Sequence, residues 1–437
     1  MRISIILLFW AYAMSLTAQS LYFPPISGNE WETITPEEVF WCSDSIQPLY
    51  DYLEAEETKA FIVLKDGKII MEKYFGNFNQ NSPWYWASAG KSLTSFLVGL
   101  AQQQGSLSIE DQTSMYLGQG WTSCDSLAEN QRTIRHQLTM TTGFDDGFPY
   151  FDCLTPSCLN CIAEAGERWA YHNSPYTLLD SVLFYSTGLN ANNFLMQHLS
   201  GTTGITGSYI KIGNNNVFYS RPRKMARFGL LMLNDGKWDQ TPVMTDMEYY
   251  QDMIQPSQSI NPSYGYLWWL NGQNSYRLPQ SQVSFNGPLM PQAPNDTYAG
   301  LGKNGQLLNI VPSENLVLIR MGNSAQSSLI AHVLNDKIWE YMNAIRCQVI
   351  STKSVDKDVD IWLSPNPAHE SISIHSKMEI PFTKVQVFSS QGQIIFAKAH
   401  HPVDSMKINV KDWPSGIYLV YISTKGGIIR KKILVRH

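Results

Sequence analysis

Apolar positions along the chain fall into three regimes. The first is AFIVLKDGKIIMEKY, residues 60–74, two β-rich runs that meet at Asp66-Gly67. That dipeptide accepts the positive φ of a tight turn, so the stretch predicts a hairpin. From Ser92 to Gln104 the pattern is that of a buried helix ending at Gly105. After a long, mostly helical and loop-rich middle, GQLLNIVPSENLVLIRMG places Pro312-Ser313-Glu314-Asn315 between two further apolar strands. SSLIAHVLNDKIWEYMNAI follows with apolar residues at helical spacing. Strands near both ends of this region predict one sheet built from early and late chain, with a helical insertion between them. The expected fold class is α+β.

The third regime begins after STKSVDKDVD, a polar stretch that reads as a linker over 351–360. From 361 to 437 the chain alternates in short strands, SISIHS, KVQVFSS, IIFAKA, IYLVYIS and KKILVR, separated by turn residues. This is the pattern of a small all-β sandwich. Charge changes sign with it: residues 351–437 hold 12 Lys and Arg against 7 Asp and Glu, while residues 1–350 hold 20 against 30. Pro365-Asn366-Pro367, Gly416-Ile417-Tyr418-Leu419-Val420 and Lys431-Lys432-Ile433-Leu434-Val435 give the tail its character. On these residues it resembles the C-terminal sorting domain of the type IX secretion system of Bacteroidetes. That resemblance implies transport across the outer membrane, with the tail removed or used for surface attachment. A carbohydrate-binding or adhesive β-module is the competing reading.

At the other end, Arg2, the apolar run Ile3–Leu16 and Leu16-Thr17-Ala18-Gln19-Ser20 read as a secretory leader with its cleavage region. The run is short for a membrane anchor, and no other stretch is apolar enough to span a bilayer. The expected organisation is a signal peptide over 1–19, a main domain over 20–350, a linker over 351–360 and a β-sandwich over 361–437.

Composition narrows the class. The 437 residues are 43% apolar and 16% charged, enough for a packed core. A net charge of −5 speaks against nucleic acid as a partner. Six cysteines, Cys42, Cys124, Cys153, Cys158, Cys161 and Cys347, would meet an oxidising compartment. Cys153-x4-Cys158-x2-Cys161 lacks a fourth ligand at metal spacing, so disulfides of open connectivity are expected. Nothing in the sequence calls for a metal or an organic cofactor.

The chemistry centres on WYWASAGKSLTSFLVGL, residues 84–100. Gly90-Lys91-Ser92 could end a phosphate-cradling loop, but the first glycine of that motif would fall on Tyr85, whose bulk forbids the wrap. The other reading is Ser88-x-x-Lys91. At i and i+3 on a helix beginning near Ser88, the two side chains share a face. Against Leu93, Phe96 and Leu97 the lysine loses solvation, so its neutral form can accept the serine proton. Partners follow in order: Tyr171-His172-Asn173, a Y-x-N, and Lys303-Asn304-Gly305, a K-x-G directly before a strand.

This ordered set is similar to that of penicillin-binding proteins and class C β-lactamases. Residues 60–345 resemble a β-lactamase-related serine hydrolase, the superfamily that also holds D-amino-acid peptidases, related esterases and 6-aminohexanoate-dimer hydrolase. The resemblance implies an antiparallel sheet flanked by helices, a helical subdomain and a site between them. It implies roles residue by residue. Ser88 would be the nucleophile and Lys91 its activating partner. Tyr171 would be the general base and then the acid, its phenol lowered by two nearby ammonium groups. Asn173 would hold Lys91 and touch the substrate. Lys303 would supply positive potential, Gly305 would leave room for the acyl group, and the N–H groups of Ser88 and Gln306 would form the oxyanion hole. Asn304 stands where a hydroxyl residue is usual, and Gln306 where a small one is common. Both departures favour ester or amide chemistry over β-lactams. The implied partners are a small-molecule ester, amide or peptide substrate and the type IX secretion machinery, with no transmembrane segment once the leader is cleaved. A non-catalytic surface binding or sensing protein on the same fold is the competing function.

Overall fold

The computed structural model describes residues 21–39, 41–147, 150–325, 328–346, 361–376, 381–389, 394–424 and 427–436. The chain divides into two compact units, residues 1–348 and 349–437. The expected leader and linker lie outside the described residues.

In the first unit, Thr58–Lys65 (β1) and Lys68–Tyr74 (β2) form the early hairpin. Asp66 and Gly67 both take positive φ, 51° and 83°, the conformation whose twist suits a two-residue connection. Trp84–Tyr85 (β3), Ser208–Ile212 (β4) and Asn215–Ser220 (β5) make a separate small sheet in the order β3-β5-β4. The main sheet is completed by Trp269–Leu270 (β6), Tyr298–Gly302 (β7), Gln306–Val311 (β8) and Leu316–Gly322 (β9). Its order is β2-β1-β9-β8-β7-β6, antiparallel throughout. The β1–β9 ladder pairs Ile62 with Ile319, so the sheet closes across more than half of the chain, as the split apolar pattern requires.

Five longer helices matter for the site: Ile46–Ala55 (α1), Gly90–Gln103 (α2), Asn173–Thr187 (α3), Pro222–Leu233 (α4) and His332–Ile345 (α5). Adjacent residues of a strand face opposite sides, and β8 uses this to hold a helix on each. On one side Leu308 meets α4: a Cβ added to Gly229 would lie 3.0 Å from Leu308 Cδ1 and 2.4 Å from Val317 Cγ1. On the other, Asn309 and Asn335 of α5 exchange hydrogen bonds of 3.0 and 2.7 Å, and Trp339 donates to Asn309. A sheet covered on both faces needs continuous apolar strands, which is why β8 and β9 are buried at every position. Helix α2 is buried on every side from Gly90 to Ala101 and so runs through the core.

The second unit has two sheets. Ile361–Ser364 (β10), Ser371–Ser376 (β11), Phe382–Ser389 (β12), Ile394–Val403 (β13), Ser405–Asn409 (β14), Gly416–Thr424 (β15) and Gly427–Val435 (β16) pair as β10-β11-β14 and β13-β12-β15-β16. Ile372, Ile374, Val385, Val387, Val420, Ile422 and Ile433 form its core. All five strands expected of the tail are present. The pattern did not single out β10 and β14, short strands of four and five residues in which only Ile361 and Ile408 are buried.

One buried cation braces one end of the main sheet, where the strands finish. Arg320 of β9 is wholly buried and donates to Gly305 O at 2.6 Å, to Thr58 Oγ1 at 2.8 Å and to Glu56 O. Gly305 takes φ 79°, and a Cβ there would lie 2.1 Å from Arg320 Nη1. Gly305→Ala is therefore expected to cost about 2 kcal/mol or more, from left-handed strain together with displacement of the guanidinium. Urea unfolding followed by tryptophan fluorescence checks this, and an unmoved midpoint refutes it.

Candidate functional site

The site begins where β3 runs into α2. Trp84 and Tyr85 pair with Ser220 and Tyr219 of β5. Trp86 is anchored by its backbone N–H to Phe218 O at 2.8 Å and by Nε1 to Ser220 Oγ at 2.8 Å. Ala87 then takes φ 45°, a left-handed conformation that is costly for a residue with a Cβ and clusters at functional sites. Ser88 follows in the 3₁₀ turn Ala87–Ala89, and α2 starts at Gly90. The serine thus precedes the helix rather than opening it, and remains half-buried at the surface of the core.

Lys91 lies in the first turn of α2 and is 3% exposed. Its Nζ donates to Ser88 Oγ at 2.9 Å and to Asn173 Oδ1 at 2.7 Å. The ammonium also lies over two phenol rings, 5.0 Å from the Tyr171 centroid and 4.3 Å from that of Tyr176. Burial pushes this lysine down to about 7, against the opposing pull of the Asp152 carboxylate. Asn173 opens α3, and its Nδ2 donates to Asp152 Oδ1 at 2.8 Å.

Tyr171 is buried in an aromatic wall, stacked on Trp269 at 5.6 Å and edge-on to Tyr264 at 6.2 Å. Its hydroxyl faces Ser88, a contact that acts to lower the phenol, but no hydrogen bond of good geometry closes onto it. Burial dominates and pushes the phenol up. This corrects the expectation that two ammonium groups lower it. The reason is physical: removal from water penalises phenolate more than its neighbours stabilise it. Lys303 does not offset this, for its side chain is exposed and makes no ion pair or hydrogen bond among the described residues. His172 is buried and stacks on Phe151.

The residue before the K-x-G segment packs against the turn that carries Ser88. A Cβ on Gly302 would lie 2.6 Å from Trp86 O and 3.0 Å from Ala89 N, so the strand end packs directly on the turn that carries Ser88. Asn304 takes φ 62°, and its Nδ2 donates to Tyr85 Oη at 2.8 Å. The Gln306 side chain is buried and clamps Gly322, donating to its O at 2.7 Å and accepting from its N–H at 3.1 Å. Its bulk therefore lies in the core, which removes one of the two expected departures as an influence on substrate choice.

Ser88, Lys91, Tyr171 and Asn173 are thus brought together, and the backbone of Gly302–Gln306 lies beside them. Sequence reasoning missed Tyr176 and Asp152 as site residues. Tyr176 was findable, because i+3 from Asn173 shares its helical face. Asp152 had no periodic signal, lying in a loop beside cysteines. Disulfides join Cys153 to Cys158 and Cys124 to Cys161, and Cys42 is also disulfide-bonded. No described helix is long and apolar enough to cross a membrane.

Comparison with known proteins adds the lineage. Residues 53–342 match the β-lactamase family, and residues 363–436 match the secretion system C-terminal sorting domain. A tail of this class directs a chain by type IX secretion to the cell surface or exterior. An uncharacterized protein of Alkalihalophilus pseudofirmus is 25% identical over 299 residues, covering 60% of this chain and 82% of that protein. Among solved structures, a protein of Bacillus anthracis provisionally named 6-aminohexanoate-dimer hydrolase aligns with a TM-score of 0.56 at 17% identity. The match covers 72% of this chain and 87% of that one. A family VIII carboxylesterase aligns with a TM-score of 0.52 at 12% identity over 70% and 98% of the two chains. At these identities the structural likeness speaks for the fold alone.

The buried lysine makes a thermodynamic prediction. Unfolded, Lys91 holds its proton up to its ordinary value of 10.5; folded, it loses it near 7. Between those values the unfolded state binds the extra proton, so stability rises with pH across that window. Below it the folded chain carries a buried charge that costs about 5 kcal/mol. Lys91→Met is expected to be more stable than the parent at pH 6 and to lose the rise between pH 7 and 10. Denaturant melts across pH test this, and a less stable variant at pH 6 contradicts it.

Proposed function

The chain belongs to the β-lactamase family and carries a secretion sorting tail, and from that premise we propose an exported serine hydrolase that forms an acyl-enzyme at Ser88. Its substrate is a small ester, amide or D-peptide. The carrying observation is the double hydrogen bond of Lys91 to Ser88 Oγ and Asn173 Oδ1 inside a pocket dry enough to bring the lysine near neutrality. As neutral amine, Lys91 accepts the Ser88 proton while Oγ attacks the carbonyl carbon. The N–H groups of Ser88 and Gln306 hold the resulting oxyanion. Tyr171, kept protonated by burial, gives its proton to the departing alcohol or amine and regains one from the Lys91 ammonium through the freed site. Water then attacks the acyl carbonyl as the same groups run in reverse. The leader over 1–19 is removed on export, and the hydrolase spans 20–350.

Asn304 narrows the substrate. With its amide bonded to Tyr85, no hydroxyl stands at that position to greet a carboxylate. Neutral esters and amides suit the site better than β-lactams or D-peptides.

A fluorophosphonate probe is expected to label the full chain, and Ser88→Ala to abolish labelling. A well-folded parent that resists labelling would instead support the surface binding or sensing reading. Tyr171→Phe should lower acylation by roughly 10²-fold, the scale of general acid–base loss, and unchanged turnover rejects its role. The pH profile of kcat/KM on p-nitrophenyl esters should rise through about pH 7 as Lys91 loses its proton, with nitrocefin a poorer substrate. A profile flat from pH 5 to 9 removes Lys91 as the base.

A further inference from the structure

The turn Tyr150–Asp152 lies outside the ordered motif set, yet it reaches the centre of the site. Asp152 Oδ1 accepts from Asn173 Nδ2 at 2.8 Å, and the carbonyl of the same amide accepts from Lys91 at 2.7 Å. We propose that Asp152 is a positioning residue for the Ser88 reaction: its carboxylate locks the Asn173 amide so that only the carbonyl faces Lys91. This rests on the serine hydrolase reading above and deepens it.

The chemistry of the amide makes the lock necessary. A primary amide presents an acceptor on one side and donors on the other, and rotation by half a turn exchanges them. Facing an ammonium, the carbonyl is preferred without help. Facing a neutral lysine, the flipped amide could donate an N–H to the amine lone pair and occupy the orbital that must take the Ser88 proton. A carboxylate accepts only, so a fixed Asp152 leaves the donor side of Asn173 a single place to point. The lone pair of Lys91 then remains directed at Ser88.

The segment carrying Asp152 is built to stay in place. Phe151 O accepts from Ser174 Oγ at 3.2 Å, and the Phe151 ring stacks on His172 at 6.3 Å. The next residue is Cys153, bridged to Cys158, and Cys161 beyond it is bridged to Cys124. Titratable groups face Lys91 from three places: Tyr171 before α3, Tyr176 on α3 with Asp180 behind it, and Asp152 on its turn. Asp152 is the one whose charge holds a proton on Lys91, so its removal acts on pH dependence as well as on geometry.

The test uses the full disulfide-bonded chain, p-nitrophenyl acetate and the fluorophosphonate probe, comparing the parent with Asp152→Ala and Asp152→Asn from pH 5 to 9. Asp152→Ala should lower kcat roughly 10- to 100-fold with little change in KM, the scale of a misaligned reacting group. Asp152→Asn keeps an oxygen acceptor and should recover part of that loss. Its acid limb should lie at lower pH than the parent's, because the charge that holds the proton is gone. Cys153→Ser/Cys158→Ser should reproduce part of the alanine loss. Asp152→Ala with the parent's rate and pH profile overturns the inference while leaving Ser88 chemistry intact. A parent that the probe does not label overturns the hydrolase reading itself, and this inference with it.

Discussion

A lysine ammonium held out of water is the constraint around which the first unit is arranged. Lys91 cannot reach solvent, because α2 is enclosed for three turns by apolar residues. Its charge is met by one hydroxyl, one amide carbonyl and two aromatic rings. Each is weaker than a carboxylate partner would be, and together they leave burial only partly compensated. A direct salt bridge would have made the lysine a permanent cation. Supplying Asn173 as a spacer keeps the nearest carboxylate at one remove, and the amine stays accessible.

Such an arrangement works only if its pieces cannot relax. The strained Ala87 and the packed Gly302 fix Ser88 between two backbones, and both depend on this end of the sheet being stiff. That stiffness comes from Arg320, whose guanidinium ties Gly305 to Thr58 and Glu56 across strands from opposite ends of the chain. The Gln306 clamp on Gly322 does the same one rung away. Buried polar groups with all partners in place specify one geometry where an apolar core would tolerate several. The helical insertion then brings α3, and with it Asn173 and Tyr176, to a frame already set.

Much of this was legible in the sequence because the decisive spacings are local. Ser88 and Lys91 are one turn apart, Tyr171 and Asn173 flank a helix start, and Lys303–Gly305 sits between two strands. The hairpin at Asp66-Gly67 and the β1–β9 closure followed from apolar runs. What escaped was whatever depends on the third dimension alone. Asp152 meets Asn173 across a loop with no period, and Asn304 finds Tyr85 from 219 residues away. The direction of the Gln306 side chain was a matter of strand alternation and could have been reasoned. The state of Tyr171 could not, since spacing reveals a neighbouring cation but not how far water is excluded.

That exclusion perturbs two groups in opposite directions. Removal from water disfavours whichever form is charged, so one environment lowers a lysine and raises a tyrosine. The lysine is brought near neutrality while the phenol beside it keeps its proton. A pair of titratable groups driven apart in this way suits the base and acid roles proposed for Lys91 and Tyr171. A phenol acting as base would need water or a second cation beside it, whereas the Tyr171 ring is walled by Trp269, Trp169 and Tyr264. The aromatic wall therefore keeps water from the phenol, as well as packing the core.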